Sequence, residues 1–115
     1  MQTTYIEECN DMLVPQFKKQ PYESCFLAAD FVNVMDTDVE DIDLANSTIT
    51  AVDVSGDPDT TVLDISSKAV ESNTKLKVRI LAGTEAKSPY KFTFRIITTA
   101  NNKWEKDIKM VVEDL

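Results

Sequence analysis

The last third of the chain, SPYKFTFRIITTANNKWEKDIKMVVEDL, constrains the fold most, because it reads as two alternating runs joined by a short break. Tyr90, Phe92, Phe94, Ile96 and Thr98 share one parity, against Lys91, Thr93, Arg95 and Ile97. Trp104, Ile108, Met110 and Val112 share the same even parity, against Glu105, Asp107, Lys109 and Glu113. Alternation with period two gives a strand one apolar face and one wet face. The two runs therefore predict an antiparallel hairpin. Both apolar sets are even-numbered, so opposed residues must have numbers with an even sum, which calls for an odd-length loop. A three-residue loop, Ala100 to Asn102, meets this condition. It sets Ile108 opposite Phe94 and Trp104 opposite Thr98, with Asn102 in the left-handed conformation such loops require.

Upstream, the same patterning predicts strands over Ser24 to Phe31, Thr48 to Val54, Thr61 to Ile65 and Lys75 to Leu81. Gly56-Asp57-Pro58-Asp59 reads as a turn, and Gly83 breaks the chain before the hairpin. Short strands at this spacing imply an all-β fold, an antiparallel immunoglobulin-like β-sandwich of six or seven strands. Ser88-Pro89-Tyr90 has the form of a tyrosine corner at the start of the penultimate strand, with Phe92 in the core site that antibody domains give to cysteine.

Residues 1–20 read as an N-terminal helix or arm with a connector, and residues 21–115 as the sandwich domain. Tyr5, Ile6, Cys9, Met12 and Leu13 recur at helical spacing and stop before Pro15, with Thr3 or Thr4 as N-cap. So short a helix must dock to persist. Tyr5, Ile6, Met12 and Leu13 are accordingly the candidate partner-binding residues. PQFKKQP follows as an extended connector.

The chain is 115 residues long with a net charge of −8, enough for one independent core. Residues 1–64 carry 14 acids and 2 bases, and residues 65–115 carry 6 acids and 10 bases, so the halves stand at −12 and +4. Mixing of the halves by interleaved strands is the favoured reading; head-to-tail association of copies, acidic surface on basic, is the other. Scattered bases without an aromatic-interleaved patch argue against nucleic-acid binding. No apolar run approaches a membrane span. The N-terminus lacks the basic start and apolar centre of a secretory signal, which places the chain in the cytosol or in an assembly. In that setting Cys9 and Cys25 are expected as two thiols rather than a bridge.

Chemistry is scarce. The chain has no histidine, no CxxC and only two isolated glycines. Histidine acid–base sites, activated cysteines and phosphate-cradling loops are thereby excluded, and no enzymatic role, catalytic residue or cofactor is expected. Asp36, Asp38, Glu40, Asp41 and Asp43 alternate as Ca²⁺ ligands can, but no glycine serves the sharp turn, so a solvated acidic loop is expected rather than a metal site. The parity shared by Trp104, Tyr90 and Phe92 places them in the core rather than on a sugar-stacking platform.

Ser47, Thr48, Thr50 and Ala51, then Gly83 and Thr84, then Tyr90, Phe92, Phe94, Thr98 and Thr99, then Trp104 and Glu105, form a pattern across residues 20–115. It resembles small bacteriophage and prophage structural proteins of the fibre–tail adaptor or neck-associated type. Asn101-Asn102 stands where that pattern has a glycine. The resemblance implies a virion structural protein at the portal, neck or tail, present in the host cytoplasm during assembly. Its partners would be other virion proteins, with copies arranged in a homo-oligomeric ring. A carbohydrate-binding or adhesive module, and a capsid decoration protein, are the alternatives.

Overall fold

In a computed structural model of the chain, residues 3–6 and 16–114 are described. Among these residues eight strands form two four-stranded sheets: β1 (Thr3–Ile6), β2 (Gln16–Lys19), β3 (Cys25–Asp30), β4 (Thr48–Val52), β5 (Leu63–Glu71), β6 (Lys75–Ile80), β7 (Tyr90–Ile97) and β8 (Lys103–Val112). One sheet has the order β1-β3-β6-β5 and the other β2-β8-β7-β4. The fold is an all-β sandwich.

The N-terminal helix expected from the spacing of Tyr5 and Ile6 is replaced by a strand. Thr3–Ile6 runs parallel to β3, with Tyr5 opposite Ala28 and Ile6 opposite Ala29. Four residues of an isolated helix satisfy no backbone pairs of their own, whereas an open sheet edge offers them a ladder. Cys9, Met12 and Leu13 lie outside the described residues. The connector is likewise a strand, since Gln16–Lys19 pairs in parallel with β8 from Lys109 to Val112. These two edge strands bring the count to eight.

Alternation decides what enters the core. Leu76, Val78 and Ile80 of β6, Tyr90, Phe92, Phe94 and Ile96 of β7, and Ile108, Met110 and Val112 of β8 are all buried and belong to one cluster with Leu27, Ala29, Phe31, Ile49 and Ala51. Burying each large side chain of this kind contributes about 1.5–3 kcal/mol before entropy is counted. At the irregular pairing of β5 with β6, between Asp64 and Ala69, the Ser67 hydroxyl accepts the Arg79 N–H at 2.8 Å and so replaces a ladder bond.

The β7–β8 hairpin keeps the expected parity but not the expected register. Phe92 faces Ile108, Phe94 faces Lys106 and Ile96 faces Trp104, a shift of two from the sequence-based pairing. The Thr98 N–H donates to the Asn102 carbonyl at 2.9 Å, so the loop is Thr99-Ala100-Asn101. Asn101 rather than Asn102 takes the left-handed conformation, at φ 66°. The loop is three residues long, as parity required. Its position is set elsewhere: Thr99 N–H donates to the Asp41 carbonyl at 2.9 Å, and Thr98 bridges Ile42.

Candidate functional site

Four regions carry polar chemistry or exposed apolar surface. The first is the acidic segment. Asp36, Asp38 and Asp41 are exposed, while Glu40 between them is buried. The Glu40 carboxylate accepts the Asp36 N–H at 2.9 Å and lies 3.4 Å from the Asn102 amide nitrogen. The Thr98 hydroxyl, then the Asp36 N–H, then the Asn102 amide hold its carboxyl below the ordinary glutamate range against the opposing effect of burial. The Asp41 N–H donates to Thr99 Oγ1 at 3.0 Å. Glu40 therefore pins an acidic turn to the tip of the β7–β8 hairpin. Among the described residues no three carboxylate or thiol side chains gather so as to hold a metal ion. Asp36 instead caps its own turn by accepting the Asp38 N–H, and Asp43 accepts the Asn46 amide.

The second region surrounds Trp104. With the register shifted by two, this residue faces Ile96 at the end of the sheet and is 36% exposed, not a core residue as parity alone implied. Lys106 takes the inward position beside Phe94 and is only 4% exposed. A cleft of ≈ 390 Å³ is lined by Trp104, Arg95, Glu105, Lys103, Thr48 and Asn46, among others. Arg95 and Glu105 form an ion pair across it.

The third region lies at the opposite end of the same sheet. Lys91 of β7 and Lys109 of β8 are directly opposed and both exposed. Like charges facing each other across a ladder are unfavourable, and among the described residues neither lysine side chain makes an ion pair or hydrogen bond. The two line a groove of ≈ 310 Å³ with Val52, Val54, Asp53 and Pro89.

The fourth joins β2 to the start of β3. Lys19 is buried, and its Nζ donates to the carbonyls of Gln20 at 3.0 Å and Glu23 at 2.9 Å. Burial lowers its pKa, opposed by the charges of Cys25 and Glu23. The Cys25 thiol is free, and burial raises its pKa while the Lys19 charge pulls it back.

Of the candidate arm residues, Tyr5 and Ile6 fall on β1, while Met12 and Leu13 lie outside the described residues. The lysine pair and the Glu40 anchor escaped the sequence reading. The first depends on a register that parity cannot fix, and the second on contacts with residues 58 and 62 positions away.

Tyr90 and its surroundings bear on the fold type. The Tyr90 hydroxyl accepts the Thr84 N–H at 3.0 Å, six residues upstream. A Cβ on Gly83 would sit 3.1 Å from Tyr90 Cε1 and 3.3 Å from Val112 Cγ2, so a glycine there lets the backbone lie on the ring. A scan against protein-family models finds no match to this chain, and a search of the curated proteins finds none either.

Proposed function

We propose that this protein is an immunoglobulin-like, non-enzymatic virion subunit of a bacteriophage, joining other virion proteins at the neck or tail through protein–protein contacts. The strand order supports the fold assignment. Lettering β1, β3, β4, β5, β6, β7 and β8 as A to G, with β2 as a second A strand, gives sheets A-B-E-D and A′-G-F-C. The Tyr90 hydroxyl bonded to backbone upstream is the tyrosine corner of that architecture. The parallel pairings of β1 with β3 and β2 with β8 depart from its purely antiparallel form.

The observation that carries the functional reading is how the residues of the phage-like pattern sit together. Thr48, Thr50 and Ala51 on β4 pair with Arg95, Thr93 and Phe92 on β7, and Glu105 on β8 pairs with the same Arg95. Gly83 and Thr84 meet Tyr90 at the other end of β7. Segments scattered over more than fifty residues thus form one three-stranded unit, which is what a shared scaffold requires. A chain without histidine that leaves Trp104, Lys91 and Lys109 exposed is suited to docking.

The test is quantitative mass spectrometry of gradient-purified, nuclease-treated particles from an induced culture of the source strain. A constant ratio on the order of a dozen copies per particle supports a neck or tail ring. Parity with the major capsid protein makes it a decoration protein, and absence from particles removes the virion role.

Trp104 favours one second reading, a carbohydrate-binding module. Its exposure beside Arg95, Glu105, Asn46 and Thr48 combines a stacking surface with hydrogen-bonding groups. Glycan-array binding that disappears in Trp104→Ala would favour it, and a blank array would discard it.

A further inference from the structure

We infer that the groove between Lys91 and Lys109 receives the acidic turn Asp36–Asp41 of a second copy of this chain, giving head-to-tail association. This deepens the proposed ring assembly by naming the two surfaces that meet, and it rests on that reading only for where the copies come together.

The two surfaces sit at opposite ends of one strand. The acidic turn is bonded to Thr98, Thr99 and Asn102, just past the end of β7, whereas the groove lies at Tyr90 and Lys91, where β7 begins. Seven residues of strand separate them, about 23 Å at a rise of about 3.3 Å per residue. A turn pinned at one end cannot reach the groove at the other end of its own molecule. Any engagement is between copies, and it is heterologous, since each molecule offers a different surface at each end.

Their chemistry is complementary. The groove pairs two exposed ammonium groups, without an ion-pair partner among the described residues, with the apolar side chains of Val52, Val54 and Pro89, and Val54 is 54% exposed. The turn presents Asp38 and Asp41 on either side of Val39, which is 69% exposed. Asp53 at the groove edge is engaged locally, its Oδ1 accepting the Ser55 N–H at 2.8 Å and the Asp57 N–H at 3.2 Å. Lys87 stands at the same edge, its carbonyl accepting the Val54 N–H at 3.0 Å. An acid–valine–acid tip entering this groove would relieve the Lys91–Lys109 repulsion and cover two exposed valines at once. The turn is already held in shape by Glu40, so little ordering cost is added on docking.

Sedimentation velocity on the purified chain, from micromolar to on the order of 1 mM, reads the association directly. Wild type should self-associate with rising concentration, and more weakly as salt is added. Lys91→Glu with Lys109→Glu should weaken association about tenfold or more, as should Asp38→Lys with Asp41→Lys. Both pairs are exposed, and an unchanged circular dichroism melt establishes that each variant folds. Mixing the two variants should restore association, since each then meets an oppositely charged surface. A wild type that stays monomeric throughout overturns the inference, as do variants that associate like wild type or a mixture that fails to recover. Because purified protein is used, this outcome is independent of whether the chain is found in particles.

Discussion

The Thr84 N–H points at the Tyr90 hydroxyl from 3.0 Å, with the backbone of Gly83 lying against the same ring. Tyr90 is 1% exposed, so this bond ties the β6–β7 connection to the core rather than to solvent. Tyr90→Phe removes the acceptor and leaves the ring in place, and should cost about 1–2 kcal/mol in urea denaturation. Gly83→Ala presses a methyl onto the ring and Val112, with an expected cost of about 1–3 kcal/mol. A Tyr90→Phe variant as stable as wild type would show that the bond contributes nothing.

Ser47 is buried, with its hydroxyl donating to the Asp43 carbonyl at 2.7 Å and accepting the Ile97 N–H at 3.2 Å. Ser47→Ala leaves both backbone groups short of a partner and should destabilise by about 1–3 kcal/mol. Equilibrium unfolding checks this, and Ser47→Thr, which keeps the hydroxyl but must place an extra methyl, should fall between the two.

Asn101 holds φ 66° at the third loop position of the β7–β8 hairpin. Asn101→Gly should therefore be neutral or slightly stabilising, while Asn101→Val should cost about 1–2 kcal/mol. The same pair of substitutions at Asn102 should not reproduce this order. Thermal melts of the four variants decide between the two positions.

Glu40 titrates below its ordinary range because Thr98, Asp36 and Asn102 hydrogen-bond its ionised form. Its contribution is therefore present above the unfolded-state value of about 4.3 and is lost as pH falls through the lower folded value. Glu40→Gln should be less stable than wild type at neutral pH, and the gap should close on acidification below about pH 4. Stability curves for the two proteins against pH test the sign; a gap that widens in acid would contradict the hydrogen-bonding account.

Burial raises the Cys25 thiol, with Lys19 partly offsetting it. In a Cys9→Ser background, alkylation of Cys25 at neutral pH should be slower than for a free thiol and should accelerate with rising pH, because the thiolate is the reactive form. Lys19→Met removes the offsetting charge and should slow it further. Rates measured by intact-mass analysis would settle the direction.

Hairpin parity was readable because residues two apart face the same way whatever their surroundings. That is why Phe92, Phe94, Ile108 and Met110 were recognisable as core and the loop as odd-length. The same invariance hid the register: a shift of two leaves every face unchanged, Lys106 on the inward face included, yet it sets Trp104 against Ile96 and Lys91 against Lys109. Spacing at the N-terminus pointed to a helix, since Tyr5 and Ile6 suit either pattern; an unpaired edge on β3 made Thr3–Ile6 a strand. The acidic composition of residues 36–43 was plain, but which carboxylate would be buried was not, because Glu40 takes its partners from Thr98 and Asn102.

By itself, then, the sequence determined an all-β chain, the inward faces of β6 and β7, the odd length of the loop between β7 and β8, and the absence of histidine chemistry. These depend on local periodicity and residue type, which travel with the chain. Tertiary structure alone decided the register of β7 on β8, the addition of two parallel edge strands, and the placing of an acidic turn and a basic groove at opposite ends of one sheet. Those depend on pairings between residues far apart in sequence, where several alternatives satisfy the same local pattern and only the packed whole selects one.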